Sequence, residues 1–323
     1  MITKIVNGVI GTSLLIGLMG FAQAQAYPDR PIRVVVPTSP GGLLDSVIRP
    51  LGEKLTGTLG QPLVIENRPG ASNIIGIEFV ARSRADGYVL LGSTLPLVVN
   101  PSLFPKVPFD AEKDFVPISL LVASAYVVSV HTSVPVKSVK ELITLTRAKP
   151  DVLNYSSGGN GTNLHIAAEL LMSLTGITMT HLTYKGGGPA LLALVSGEAD
   201  LSIPSVAAVL PQVKSGKIRA IAVTSIKRSA LLGDVPTVAE AGVPGYEFTS
   251  WIGLLAPAGT PNDIVTKLNQ HIVTALRSSD LSNRFANTGM DVIASSPEEF
   301  RHYLHAELVR YAKLVQKRGL RQR

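Results

Sequence analysis

The chain has no cysteine, so disulfides, thiolate metal sites and cysteine nucleophiles are excluded from the outset. Charge is also scarce. At 16% charged and 46% hydrophobic, the composition excludes intrinsic disorder, and the 29 glycines and 22 prolines are scattered rather than gathered in low-complexity tracts. No P-loop, dinucleotide fingerprint, GxSxG or HExxH occurs, which removes the common nucleotide-binding and hydrolase signatures. After the first 26 residues, no apolar run approaches the roughly 20 residues a membrane-spanning helix needs. At 323 residues the chain is long enough for two domains with cores of their own.

The amino-terminal segment has the layout of a secretory signal. Lys4 precedes the apolar stretch Val9 to Ala22, and Ala22-Gln23-Ala24 and Ala24-Gln25-Ala26 supply two overlapping small-x-small cleavage signals. Residues 1–26 are therefore expected to be removed, leaving an exported protein in the periplasm that begins at Gln25 or Tyr27. The net charge of +7 is concentrated at the other end, where Arg301 to Arg323 hold seven Lys or Arg against the single acid Glu307. That distribution reads as the solvated face of a C-terminal helix, or a partner surface, rather than a nucleic-acid site. On this reading, removal of Lys317 to Arg323 changes the salt dependence of any partner docking and leaves ligand affinity within about twofold.

Between these ends, short apolar runs alternate with helix-period stretches. Ile32 to Val36, Leu63 to Ile65, Tyr88 to Leu91, Tyr126 to Val130, Met179 to Leu182, Ile218 to Val223 and Ile252 to Ala256 lack period-two polarity, as strands buried on both faces do. They predict an α/β architecture with parallel sheets. Helix starts are marked at Ser138 with Glu141, Thr237 with Glu240, Thr260 with Pro261 and Asp263, and Ser296 with Pro297 and Glu299. Ile264, Val265, Leu268, Ile272 and Leu276 form one apolar helix face able to cover a sheet.

Ligands of such folds bind beyond the carboxyl ends of strands, so segments that leave a strand and open a helix matter most. Three qualify: Thr38 to Asp45, Ser156 to Asn163, and Tyr184 to Pro189. Glycine lets backbone approach a ligand closely, and a helix start offers unpaired N–H groups with a partial positive charge, a setting for an anion. An enzyme needs an acid, base or nucleophile constellation, and none is evident. His302 and His305 have a possible metal-ligand spacing without accompanying carboxylates, and His165 reads as a capping or packing residue behind the second loop. No metal or cofactor is expected.

Eight segments then carry a resemblance. YPDRPIRVVVP with GGLLD (Tyr27 to Asp45), GQPLVIENRPGAS (Gly60 to Ser72), DGYVLLGST (Asp86 to Thr94), LNYSSGGNGTNLHIAAELL (Leu153 to Leu171), YKGGGPALLALVSGEAD (Tyr184 to Asp200), KIRAIAVTSIKRS (Lys217 to Ser229), DVPTVAEAGVPGYE (Asp234 to Glu247) and GLLAPAGTP (Gly253 to Pro261) are similar, in order and spacing, to the Bug family. That family comprises extracytoplasmic solute receptors of tripartite tricarboxylate transporters.

The resemblance implies a type II periplasmic-binding-protein fold, two α/β lobes with a ligand cleft between them. The first lobe would take residues 27–125, the second 126–247, and residues 248–323 would return to the first. It further implies a small organic carboxylate held mainly by main-chain amides and water, delivery to membrane transporter subunits, and a monomeric receptor without catalysis. Thr38, Ser39, Gly41, Gly42 and Asp45 fall on the family's first-lobe ligand loop. Ser157, Gly158, Asn160, Gly161 and Thr162 fall on the second, and Lys185 and Gly186 on a third family word. The chain departs from the family pattern at Thr38 (commonly aromatic), Pro40 (commonly alanine), the bulky Leu43 and Leu44, Pro50 inside the first helix, and Ser72-Asn73 in place of a glycine pair. These changes gather at the mouth of the first lobe and leave the ligand class open. A receptor that signals through a membrane sensor protein, or an enzyme on the same scaffold, are the alternatives.

Overall fold

The computed structural model describes residues 27–38 and 40–322. The expected leader, residues 1–26, and Ser39 lie outside the described residues.

The chain opens with β1 (Ile32–Val36), α1 (Leu43–Leu59), β2 (Leu63–Asn67), α2 (Ile74–Ala81), β3 (Val89–Ser93), α3 (Pro96–Leu103) and the long β4 (Phe115–Ala125). There follow β5 (Val127–His131), α4 (Val139–Ala148), β6 (Asn154–Ser157), α5 (Asn163–Thr175), β7 (Thr180–Thr183), α6 (Gly187–Ser196), β8 (Leu201–Ser202), α7 (Val206–Lys214) and β9 (Ile218–Val223). The last part contains β10 (Thr249–Pro257), α8 (Asn262–Leu276), α9 (Ser279–Ala286), β11 (Met290–Val292) and α10 (Pro297–Arg318).

These strands form two sheets, one ordered β11-β4-β10-β3-β1-β2 and the other β7-β6-β8-β5-β9. The expectation of parallel sheets holds only in part. β1 pairs in parallel with β2 and β3, and β6 with β7 and β8, but β10 runs antiparallel to β3 and β4, and β5 antiparallel to β8 and β9. An apolar strand reports burial on both faces, and either direction satisfies that.

Strand periodicity sorts side chains between two layers. On β1, Ile32, Val34 and Val36 enter a core with α1, α8 and α9, while Val35 points into the core on the opposite face. The α8 face read from the sequence does cover the sheet, with Val265, Leu268, Ile272 and Leu276 buried there. The opposite core holds Trp251, Phe300 and Leu304 and continues without a break into the second sheet through Tyr126, Val128 and Tyr155. One apolar cluster therefore spans both sheets.

The two crossings between the sheets brace one another at Thr224. Its Oγ1 accepts from Tyr126 N–H at 2.8 Å, its N–H donates to Tyr126 O at 2.9 Å, and its carbonyl accepts from Phe248 N–H at 2.8 Å. The Tyr126 and Phe248 rings meet edge to face, centroids 5.4 Å apart. Ser138 and Ser296 cap α4 and α10 as their spacing predicts, the latter in a full capping box with Glu299. Thr237 and Glu240 make the same reciprocal bonds, at 3.0 and 2.9 Å, yet the segment closes as a turn because Gly242 (φ +105°) ends it. α1 runs through Pro50 as a single helix.

The C-terminal helix is not a solvated face along its length. α10 packs on α3 and β4 and also on α5, and Phe300, Leu304, Tyr311, Leu314 and Val315 are buried. Its last turn reaches the second sheet, where Arg318 Nε donates to Glu169 Oε2 at 2.7 Å and Lys317 Nζ to Ser173 O at 3.1 Å. Counting charges along the sequence missed this because the basic residues share the helix with a buried apolar stripe.

Candidate functional site

Two of the glycine loops follow strands of the second sheet, and their backbones touch. A Cβ on Gly158 would fall 2.9 Å from the Gly186 carbonyl carbon, so glycine is required for the two loops to lie together. Gly161, at φ +77°, approaches the first sheet's layer instead: a Cβ there would lie 2.7 Å from Leu103 Cδ2 on α3. α5 and α6 both open at these loops, and neither N-cap, Thr162 or Gly186, makes a side-chain capping bond. Their first-turn N–H groups lack intrahelical acceptors. The Thr162 hydroxyl donates to Gly159 O at 2.7 Å and so shapes the loop.

These loops form one side of a cavity of about 560 Å³. Gly158, Gly159, Asn160, Gly161, Thr162 and Gly186 line it from the second sheet. From the first come Pro37 and Thr38 beyond β1, Pro69, Gly70, Ser72 and Asn73 beyond β2, and Pro96 and Phe104 at the two ends of α3. Gln322, beyond α10, completes the wall. No lysine or arginine lines it among the described residues. A second groove of about 560 Å³, between the Ser225 to Leu231 segment and β11, shares no lining residue with it and contains none of the glycine loops.

Of the residues singled out in the sequence, the structure brings together Thr38, Gly158, Asn160, Gly161, Thr162 and Gly186 on the cavity wall. Gly41, Gly42, Asp45, Ser157 and Lys185 are not on it. Asp45 is buried and occupied: its Oδ2 accepts from Gly41 N–H at 2.6 Å, Asn67 Nδ2 donates to the carboxylate, and Arg49 pairs with it at 3.0 Å. It therefore ties the first glycine loop to β2. Lys185 is exposed. Ser39 is outside the described residues.

The turn before α2 was legible only as a departure from a family word. Ala71, Ser72 and Asn73 all have positive φ (46°, 53° and 74°), an expensive run for residues other than glycine, and Asn100 Nδ2 holds it by donating to Ser72 O at 2.8 Å. Phe104 and Gln322 carried no sequence signal, since each reaches the cavity only through the packing of α3 and α10.

Behind the second-sheet loop lies a stack of three rings, buried at Tyr155 and His165 and half-buried at His181. The His181 ring lies 4.6 Å from both the Tyr155 and the His165 rings, in stacked geometry with each. His165 Nδ1 accepts from Gly161 N–H at 3.2 Å, and His181 Nε2 lies 2.6 Å from Ser157 Oγ, which accepts from Gly159 N–H at 3.1 Å. Burial, then the neighbouring His181 and Arg318, lower the His165 pKa to about 3, so the ring is neutral and Nδ1 remains an acceptor. The other candidate histidines have no such setting. His305 faces Glu112 at 2.8 Å and His302 faces Glu298 at 3.7 Å, both on the exposed surface, and no metal-ligand group forms among the described residues.

With this geometry in view, the relatives agree. Residues 47–320 match the profile of the "Tripartite tricarboxylate transporter family receptor". The chain belongs to this family. BugT of Bordetella pertussis is 36% identical over 305 residues, covering 94% of each chain. The solved structure "R. palustris Rpa4515 with adipate" superposes with a TM-score of 0.84 at 35% identity, covering 91% of this chain and 98% of the other. MatC from Rhodopseudomonas palustris with bound malate gives 0.81 at 33%, covering 90% and 100%. The Bug-type resemblance is thereby established, and the fold is the α/β fold of the periplasmic binding proteins in this family. These relatives are binding receptors.

Proposed function

We propose that the protein is an exported receptor that captures a small organic carboxylate between two lobes, residues 27–125 with 248–323 and residues 126–247, and delivers it to a membrane transporter. The observation that carries this reading is the Gly158 to Thr162 loop, which opens the uncapped helix α5 on the wall of a cavity bounded by both sheets. With no cation among the described residues of that wall, the anion's charge is met by N–H groups at the starts of α5 and α6, helped by the Thr162 hydroxyl and bridging water. The first-lobe wall contributes differently from the expected glycine pair: Thr38, Gly70, Ser72 and Asn73 face the cavity, and Pro37, Pro69, Pro96 and Phe104 offer apolar surface to the body of the ligand. Adipate in one relative and malate in another support a carboxylate as the cargo. Tyr126, Thr224 and Phe248 form the pivot in this reading, since both crossings meet there.

A thermal-shift screen of residues 27–323 against dicarboxylates, aromatic acids, amino acids and their uncharged amides tests it. At 100 times Kd the matching acid adds about 2.7 kcal/mol to stability. A shift with an acid and none with its amide is the expected result. A shift with amides alone, or with no acid, contradicts it.

A further inference from the structure

The C-terminal turn is linked to the cavity by two hydrogen bonds, Arg318 to Glu169 and Gly161 to His165, bridged by a wider approach of 3.8 Å between Glu169 and His165. Arg318 Nε donates to Glu169 Oε2 at 2.7 Å. Glu169 Oε1 accepts from Tyr155 OH at 3.0 Å and lies 3.8 Å from His165 Nε2. His165 Nδ1 accepts the Gly161 N–H. Because Nδ1 accepts, the imidazole proton sits on Nε2 and points toward the carboxylate, which fixes the ring's tautomer. Glu169 is 5% exposed, and Arg318 is the cation paired with it. Removing that cation leaves a buried carboxylate uncompensated, a cost that displaces Glu169 from its present position. That change alters what the His165 Nε2–H faces, and with it the hold on Gly161.

The same turn also touches the cavity directly. Gln322 N–H donates to Leu103 O at 2.7 Å, and Asn160 Nδ2 lies 3.4 Å from Gln322 Oε1. Leu103 is the residue that meets Gly161 across the gap between the two sheets. Residues 318–322 therefore contact α3 on one side, and Asn160 of the glycine loop and Glu169 of α5 on the other.

We propose that Arg318 is a positioning residue of the ligand cleft, which through Glu169 and His165 holds the Gly161 backbone in place, so that docking of the last turn of α10 sets ligand affinity. This rests on the reading of the cavity as the carboxylate site. It replaces the expectation that the C-terminal turn is dispensable for binding. Groups facing the His165 ring are Glu169, His181 and Arg318, and neither histidine is charged near neutral pH, because burial lowers both pKa values.

The test uses the full mature chain and three variants: Arg318→Met, Glu169→Gln, and the two combined. The combined variant removes both charges and leaves no unpaired buried ion, so it guards against simple misfolding of the single changes. Two readouts are taken: hydrogen exchange of the Gly161 amide in ligand-free protein by NMR, and affinity for adipate, malate and benzoate by calorimetry. The combined variant should melt near the wild-type temperature, exchange Gly161 faster than wild type, and bind its acid about tenfold more weakly. Unchanged exchange at Gly161 overturns the link, whatever binds. Faster exchange with unchanged affinity overturns the claim that the turn sets affinity. If the wild type binds none of the three, the acid found by the thermal-shift screen is titrated instead; if no acid in that screen binds, the carboxylate reading of the cavity fails and the affinity claim falls with it, while the exchange rates still decide whether Arg318 positions Gly161.

Discussion

Asp45 and His165 show how a residue's neighbours decide its role. Both sit beside glycine loops, yet the Asp45 carboxylate is occupied by Gly41, Asn67 and Arg49, and His165 Nδ1 by the Gly161 N–H. In the sequence, Asp45 reads equally well as a ligand contact or a first-turn carboxylate, because its partner Asn67 is 22 positions away. For His165 the consequence is a pH dependence. The folded ring titrates near 3 and the unfolded one near 6.5, so between those values the unfolded chain binds a proton that the folded chain refuses. Stability is intact above 6.5 and falls as pH drops through this window, by up to about 1.4 kcal/mol per pH unit. Melting curves for wild type and His165→Gln between pH about 7 and about 5 should diverge, with wild type losing more. Parallel curves would assign the acid sensitivity to other groups.

At the scale of elements, apolar runs mark the centres of seven strands, and Ser-x-x-Glu spacing marks two helix starts that do form. The 11-residue β4 escaped notice because Pro117, Ser119 and Ser124 interrupt its apolar pattern, although the two serines are buried among neighbouring strands. Strand direction was also hidden, since it follows from connection geometry. β10 shows what such a strand requires. Its register with β4 shifts between Ile252 and Gly253, and a Cβ on Gly253 would lie 2.2 Å from the Phe300 ring. The glycine lets α10 dock on the sheet. Gly253→Ala is expected to destabilise the fold by about 2 kcal/mol through overpacking. A chemical denaturation midpoint unchanged from wild type would show that Phe300 shifts without cost.

Across the whole molecule, the alternation of strands and helices and the second-sheet glycine loops were readable from chain order, whereas the division into two lobes came with the family resemblance. The first-sheet wall and the Gln322 contact were not readable there, because Phe104 and Gln322 reach the cavity through helix packing, the latter meeting Asn160 over more than 140 residues of separation. The central claim is that the anion is held by backbone at the helix starts of the second sheet, without a cationic side chain. Titration calorimetry with the tightest acid from the screen tests it most directly, comparing wild type, Lys185→Ala and Gly161→Val. Lys185 is exposed and off the cavity wall, so its loss should change Kd by no more than about twofold. Valine at Gly161 must adopt a strained positive φ and collide with Leu103, so binding heat should vanish while the circular-dichroism melt remains cooperative. Loss of binding in Lys185→Ala with retention in Gly161→Val would contradict the backbone mechanism and put an ion pair in its place.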